Sequence, residues 1–276
     1  MTTSNPARIG RFPLQLNRMG ANADPKASTL REPLRPQRLL RDAAHAASRT
    51  VTPTGLGMDS AGIRAHMVQR LRDAGASNEA VLLAMMSVQR HLFIDSALAA
   101  QAYEDTSLPI GHGQTISKPS VVARMLSLLF EGQAAHSLGH LGRALEIGTG
   151  CGYQAALLQR LARHVVSIER VAALHARATA QLHTVASNDL VLVHGDGMIG
   201  HAASAPFQSI IAAAGGDALP PSWLSQLAAG GRLVAPVHQG EGAGQALVVI
   251  DRDSHGNLHR QVHDAVLFVP LKSGTV

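Results

Sequence analysis

The sequence predicts an α/β protein: a doubly wound, mostly parallel sheet of Rossmann-like type with a helical addition on its N-terminal side. Two observations predict it. Short apolar runs alternate with helical patterns through the second half of the 276-residue chain, and runs with little polar alternation belong to strands covered on both faces. A glycine-rich turn also stands between the first of these runs and the helix after it, where doubly wound folds place a ligand-binding turn.

Each element has its own signal. Ile63, Met67, Val68 and Leu71 fall at helical spacing, and Gly75 stops that run. Asn78 is placed to cap a second helix carrying Val81, Leu82, Met85 and Met86. Pro109 to Pro119 is rich in turn formers and reads as a loop, and Val121 to Phe130 reads as a helix entered at Pro119. Strands are predicted at Ala144–Ile147, Val165–Ile168, Leu190–Val193, Ser209–Ala212, Leu233–Ala235, Ala246–Ile250 and Ala265–Val269. Helices are predicted through Leu157 to Leu161, over Val171 to Val185, and around Trp223 to Leu227.

Composition narrows the function classes. Aromatics are only 3% of the chain, which disfavours a single-stranded nucleic-acid binder that stacks bases on rings. The net charge of +5 owes much to residues 1–50, where nine Lys and Arg face three acids, so it is weak support for a nucleic-acid partner and none is expected. Residues 1–57 are rich in Pro, Arg, Ala and Thr without periodicity, and a disordered leader is expected there. The prolines disfavour the amphipathic helix of a transit peptide. No run of about 18 apolar residues is present, so no membrane span is expected. The single cysteine, Cys151, excludes an internal disulfide and fits a reducing compartment. Residues 58–276 are expected to form one domain, with a helical part over 58–130 and a ligand-binding core over 140–276.

The turn reads Glu146-Ile147-Gly148-Thr149-Gly150-Cys151-Gly152-Tyr153. A dinucleotide site prefers a small residue where Tyr153 stands. A carboxylate at Glu146 serves a pyrophosphate poorly but suits the cationic ammonium and sulfonium of S-adenosyl-L-methionine. Glu169 ends the next strand about 20 residues on, the usual offset for an acid that holds ribose hydroxyls. Asp196, in Gly195-Asp196-Gly197, ends the third strand, where a carboxylate can accept from an adenine amine. Glu146, Gly148, Gly150, Gly152, Glu169 and Asp196 are therefore the candidate cofactor-binding residues.

A second stretch, Leu108-Pro109-Ile110-Gly111-His112-Gly113-Gln114-Thr115-Ile116-Ser117-Lys118-Pro119, resembles the signature segment of the protein-L-isoaspartate O-methyltransferases. Arg90-His91-Leu92-Phe93, Leu145 to Tyr153, His194 to Gly197, Ala205-Pro206-Phe207, Gln226-Leu227 with Gly230-Gly231, Pro236-Val237 and Phe268 to Leu271 also match that family, in its order. The resemblance implies a methyltransferase domain that moves a methyl group from S-adenosyl-L-methionine to the α-carboxylate of L-isoaspartyl residues in damaged proteins, leaving S-adenosyl-L-homocysteine. It places the cofactor turn on Gly148, Thr149, Gly150, Gly152 and Tyr153, with Glu169, Asp196 and Gly197 beside it, and the characteristic serine at Ser117 as the catalytic residue, with Thr115, Ile116, Ser117 and Ala213 on the substrate side. A cytoplasmic monomer without a metal is expected.

This chain departs from the family pattern at three positions. Gln208 stands for an aspartate, Ala213 for a threonine and Gln89 for a proline. The first two bear on the acceptor side and keep two other readings open, a methyltransferase for a small molecule or RNA and a non-catalytic cofactor sensor. The reaction needs no strong base, because a carboxylate acceptor is already ionised well above about pH 4. A hydroxyl that orients it suffices. Lys118 could attract an anionic acceptor, though a solvated loop lysine is the blander reading, and His112 reads as a loop residue. His255, His259 and His263 are spaced by four but lie in a turn and strand, so no metal site is assigned. Cys151 reads as a packing residue.

Overall fold

A computed structural model describes residues 61–183, 189–240 and 244–276. The leader expected over 1–57 lies outside them, as does the far end of the helix expected to reach Val185.

Helix α1 (Ala61–Asp73) and helix α2 (Glu79–Ser87) come first. The Asn78 side chain accepts from Val81 N at 3.1 Å, so the expected cap forms. Two short 3-10 turns lead to a hairpin of strands β1 (Leu108–Gly111) and β2 (Gln114–Ile116). This corrects the loop expected over Pro109 to Pro119. Its two-residue turn puts His112 at φ 54° and Gly113 at φ 68°, the left-handed pair that matches strand twist. Helix α3 (Pro119–Phe130) follows with proline in its first turn. A short helix α4 (Gln133–Leu138) comes next, too brief to show an apolar period in sequence.

The core alternates as expected: β3 (Arg143–Ile147), α5 (Tyr153–Leu161), β4 (His164–Glu169), α6 (Ala172–Leu182), β5 (Leu190–His194), β6 (Phe207–Ala212), α7 (Pro221–Gln226), β7 (Leu227–His238), β8 (Gln245–Arg252) and β9 (Leu258–Val266). The seven strands run in the order β5-β4-β3-β6-β7-β8-β9. β3 to β7 pair in parallel, while β8 and β9 join antiparallel. The chain turns outward in both directions from β3 and β6, so the carboxyl ends of these two strands flank the crevice where such sheets bind ligands.

Both faces of the sheet are apolar, which explains the unbroken hydrophobic runs. Ala144, Val165, Ile211 and Val234 pack toward the helices on one face, together with Met125, Leu157 and Leu174. Leu145, Val166, Ile210 and Leu233 pack on the other with Trp223 and Leu227. The last strand falls earlier than the expected Ala265–Val269. β9 is an edge strand whose residues are largely exposed, so its polar sequence hid it. The apolar residues beyond it instead line the crevice.

Gly152 shows how the glycine turn is built into this packing. It has φ 93°, and a Cβ there would stand 2.9 Å from Leu182 Cδ1. Its bare backbone lets the start of α5 meet the end of α6. Gly152→Ala is expected to destabilise the fold by roughly 1–3 kcal/mol through overpacking and backbone strain, read as a lowered urea midpoint; an unchanged midpoint would show that this contact yields freely.

Candidate active site

The carboxyl ends of β3, β4 and β6, the β1–β2 hairpin and the C-terminal segment enclose a cavity of about 330 Å³. That volume is in the range of small-ligand sites, which begins near about 300 Å³. Gly148, Thr149, Gly150, Tyr153, Glu169 and Gly197 line it, as do Thr115, Ile116, Ser117 and Ala213. These ten expected site residues, widely spaced in sequence, meet around one space. Glu146, Gly152 and Asp196 are absent from its walls.

The turn is shaped by hydrogen bonds from its own backbone. Gly148 N and Thr149 N donate to Ile168 O at 2.8 and 3.2 Å, and Gly150 N donates to Glu169 Oε2 at 2.8 Å. Glu169 Oε1 accepts from Val171 N at 2.9 Å. The Glu169 carboxylate thus braces the turn and the start of α6 together. Gly148 and Gly150 have φ 89° and 56°, and a Cβ on Gly150 would come within 3.2 Å of Ile110 Cδ1. Side chains at these positions would fill the space that the bare backbone offers to a ligand.

Glu146 lies beneath the turn, fully buried. Ser167 Oγ donates to its Oε2 at 2.5 Å, and the Thr149 hydroxyl lies 2.6 Å from Ser167 Oγ. Burial pushes the Glu146 carboxyl up to about 8, against the pull of Ser167 and Gln154. Burial thus favours its protonated form, and it supports Thr149 through Ser167, where the sequence suggested a carboxylate facing a cation. Ser167 escapes a sequence reading because a serine inside an apolar strand forms no motif.

Asp196 also organises backbone. Its Oδ1 accepts from Met198 N at 2.8 Å and its Oδ2 from Gly274 N at 2.7 Å. Arg170 holds the same segment, donating to Gly274 O and Ser273 O at 3.0 and 3.2 Å. Lys272 and Val276 of this segment line the cavity. Gly197, next to Asp196, has its carbonyl held by Trp223 Nε1 at 2.8 Å, and a Cβ there would stand 2.6 Å from Ile147 Cγ2. Only glycine permits this approach to the end of β3.

Two arginines fix the hairpin to the body. Arg90 has 0% exposure, and its Nη2 and Nε donate to Ser117 O at 2.6 Å and Ala102 O at 2.8 Å. Its guanidinium carbon lies 4.8 Å from the centre of the Tyr153 ring, so the cation is held partly by the ring's negative face. Burial lowers the Arg90 pKa, and the neighbouring Tyr153 and Cys151 oppose that shift. Arg177 Nη1 donates to Ile110 O at 3.3 Å. Arg90 sits in a stretch that matches the family, but nothing in its local sequence announces its link to Ser117, 27 residues away.

Ser117 is half-buried at the end of the hairpin, and among the described residues nothing hydrogen-bonds its hydroxyl. Cys151 is buried in the cavity wall, and burial pushes its thiol up, as suits a packing residue. Among the described residues no three His, Cys, Asp or Glu side chains gather as a metal site, and no helix is long and apolar enough to cross a membrane.

The family model for protein-L-isoaspartate(D-aspartate) O-methyltransferase matches residues 63–276. The protein-L-isoaspartate O-methyltransferase of Leptothrix cholodnii is 54% identical over 280 residues, covering 100% of this chain and 98% of its own length. That of Methylibium petroleiphilum is 55% identical over 265 residues, covering 96% of each. A solved protein-L-isoaspartate O-methyltransferase superposes with a TM-score of 0.67 at 25% identity, covering 76% of this chain and 66% of its own. A Plasmodium falciparum structure in complex with S-adenosyl-L-homocysteine, at a TM-score of 0.65 and 23% identity over 76% of this chain and 98% of its own, shares the fold. The chain belongs to the protein-L-isoaspartate(D-aspartate) O-methyltransferase family.

Proposed function

We propose that this chain transfers the methyl group of S-adenosyl-L-methionine to the α-carboxylate of L-isoaspartyl residues in proteins and peptides, releasing S-adenosyl-L-homocysteine. One observation carries the reading. The cavity beside the glycine turn shares Thr115, Ser117, Ala213 and Val269 with a second depression that opens at the surface. A buried ligand and a surface-borne acceptor can therefore meet at Ser117.

The donor set fits S-adenosyl-L-methionine. Gly148 to Gly150 offer bare backbone. Each Glu169 oxygen holds one backbone N–H and keeps further acceptor capacity for ribose hydroxyls. When bound, the cofactor supplies a methyl group on a sulfonium whose leaving group is a neutral thioether. The acceptor carboxylate carries its charge already, so no residue has to remove a proton. An acceptor oxygen would take that methyl carbon as the carbon–sulfur bond broke, leaving the thioether. Ser117 orients the carboxylate by donating a hydrogen bond from its hydroxyl, and the Arg90 contact to its carbonyl keeps that hydroxyl in place. Orientation alone can supply about 7–11 kcal/mol of the barrier. Once formed, the methyl ester is attacked by the following backbone amide nitrogen and loses methanol. The resulting succinimide hydrolyses in part to normal aspartate. The reading takes residues 58–276 as one catalytic domain, preceded by the 1–57 leader and acting as a cytoplasmic monomer.

The two acceptor-side departures separate by position. Gln208 lies near the start of β6, at the opposite edge from the crevice, and its Oε1 accepts from Arg143 N at 2.7 Å. Ala213 lines both depressions. Loss of the threonine therefore bears on the acceptor, and loss of the aspartate does not.

Methyl transfer to an isoaspartyl peptide, compared with its normal aspartyl twin, tests the activity. A base-labile methyl ester is expected on the first only, and equal or absent signal on both would overturn the assignment. Ser117→Ala is expected to lower turnover about ten- to a hundredfold while leaving calorimetric S-adenosyl-L-homocysteine affinity nearly intact; unchanged turnover would remove Ser117 from the reaction. Glu146 gives a pH test. Its carboxyl titrates near 8 when folded and near about 4.3 when unfolded, so the folded state holds the extra proton between those values and loses stability as pH rises through them. The wild-type chain should lose on the order of 1 kcal/mol per pH unit relative to Glu146→Gln across that window. Parallel stability curves for the two would show that Glu146 is ionised in the fold.

A further inference from the structure

The acceptor depression does not end at Ser117. It shares Lys118, Val121, Ala265 and Val266 with a third depression that runs between the start of α3 and the end of β9 toward Arg124. The three hollows form one trough, from the glycine turn past Ser117 and Lys118 to Arg124. A methyl acceptor carried on a polypeptide needs such a path, because the chain on each side of the modified residue must leave the crevice.

The charges along this trough are not equivalent. Arg124 is already engaged, with Asp264 at 2.7 Å and Glu131 at 3.7 Å. Lys118 is not. Its nearest acid, Asp105, lies 3.9 Å away, and the two carboxylate oxygens of Asp105 already accept from Ser120 N at 2.7 Å and Ser120 Oγ at 2.8 Å. The Lys118 side chain is 46% exposed. It follows Ser117 directly and lines both the acceptor depression and the one beyond it.

Resting on the function proposed above, we infer that this trough receives one flank of the substrate polypeptide and that Lys118 selects flanks bearing an acidic side chain within two residues of the isoaspartyl group. The ammonium is a mobile, hydrated point charge, so the preference is electrostatic and falls with salt. An exposed pair of this kind changes each rate constant by a small factor, and attraction of Glu together with repulsion of Lys gives a Glu-to-Lys preference in kcat/KM of roughly three- to tenfold at low ionic strength.

The test uses the full chain and isoaspartyl peptides differing only in Glu, Gln or Lys at one flanking position, in one series before and one after the isoaspartyl residue. Wild type, Lys118→Gln and Lys118→Glu are compared at about 0.01 M and about 1 M ionic strength, where the screening length falls from about 30 to about 3 Å. In one of the two series the Glu-to-Lys ratio should exceed one for wild type, fall to near one in Lys118→Gln, invert in Lys118→Glu and collapse at high salt. Because each ratio is taken within one variant, a general loss of activity or folding leaves it readable. Equal ratios in wild type and Lys118→Glu in both series would overturn the inference while leaving the methyl transfer standing. Failure of wild type to methylate the Gln peptide would overturn both.

Discussion

The buried guanidinium of Arg90 ties the functional parts of this molecule together. A charge with no exposure is costly to place in a protein interior, and this one is held by two backbone carbonyls and an aromatic face. Those three partners belong to different regions. Ala102 is in the N-terminal addition, Ser117 ends the hairpin, and Tyr153 opens the helix after the glycine turn. The acceptor side is thereby fixed to the cofactor side by a charge that cannot be moved without leaving it uncompensated. Each hydrogen bond to such a charge typically contributes about 1.5–3 kcal/mol. The N-terminal addition thus does more than cover the sheet, because the 3-10 turn after α2 carries Arg90, which holds the Ser117 carbonyl.

The carboxylates show the same economy of placement. Glu169 and Asp196 each hold two backbone N–H groups, and Glu146 supports Thr149 through Ser167. Each acid shapes a turn before it meets any ligand. A carboxylate oxygen retains acceptor capacity after one hydrogen bond, so bracing and binding are compatible at Glu169, which lines the cavity. Glu146 lies beneath the cavity wall, where full burial favours the neutral carboxyl.

Much of this is legible in sequence, for identifiable reasons. β3, β4 and β6 are buried on both faces, so their apolar runs stand out, and Gly148 to Gly152 mark the turn between strand and helix. The hairpin is hidden because Pro109 and two nearby glycines look like a loop, and its two-residue turn places the non-glycine His112 in the left-handed region. β9 is misplaced because an exposed edge strand has little apolar signal, while Phe268 and Val269 owe their apolar character to the crevice wall. Arg90, Ser167 and Gly274 are invisible in a different sense. Their roles arise from partners 27, 21 and 78 residues away, and no local pattern encodes a contact of that range.

The position of Ala213 is a consequence of the sheet order. Since β3 and β6 are neighbours and the connections leave them in opposite directions, the residue after β6 must face the turn after β3. A Cβ added at Gly148 would stand 3.6 Å from the Ala213 Cβ, so the two backbones approach closely there. The alanine supplies surface but no hydroxyl. In the proposed reaction, polar contact with the acceptor at this junction would fall to the opposite wall, which Thr115 and Ser117 line. Under that proposal the acceptor would meet an element held in place by Arg90 and Arg177, so its geometry would depend on those two arginine contacts as much as on the sheet beneath.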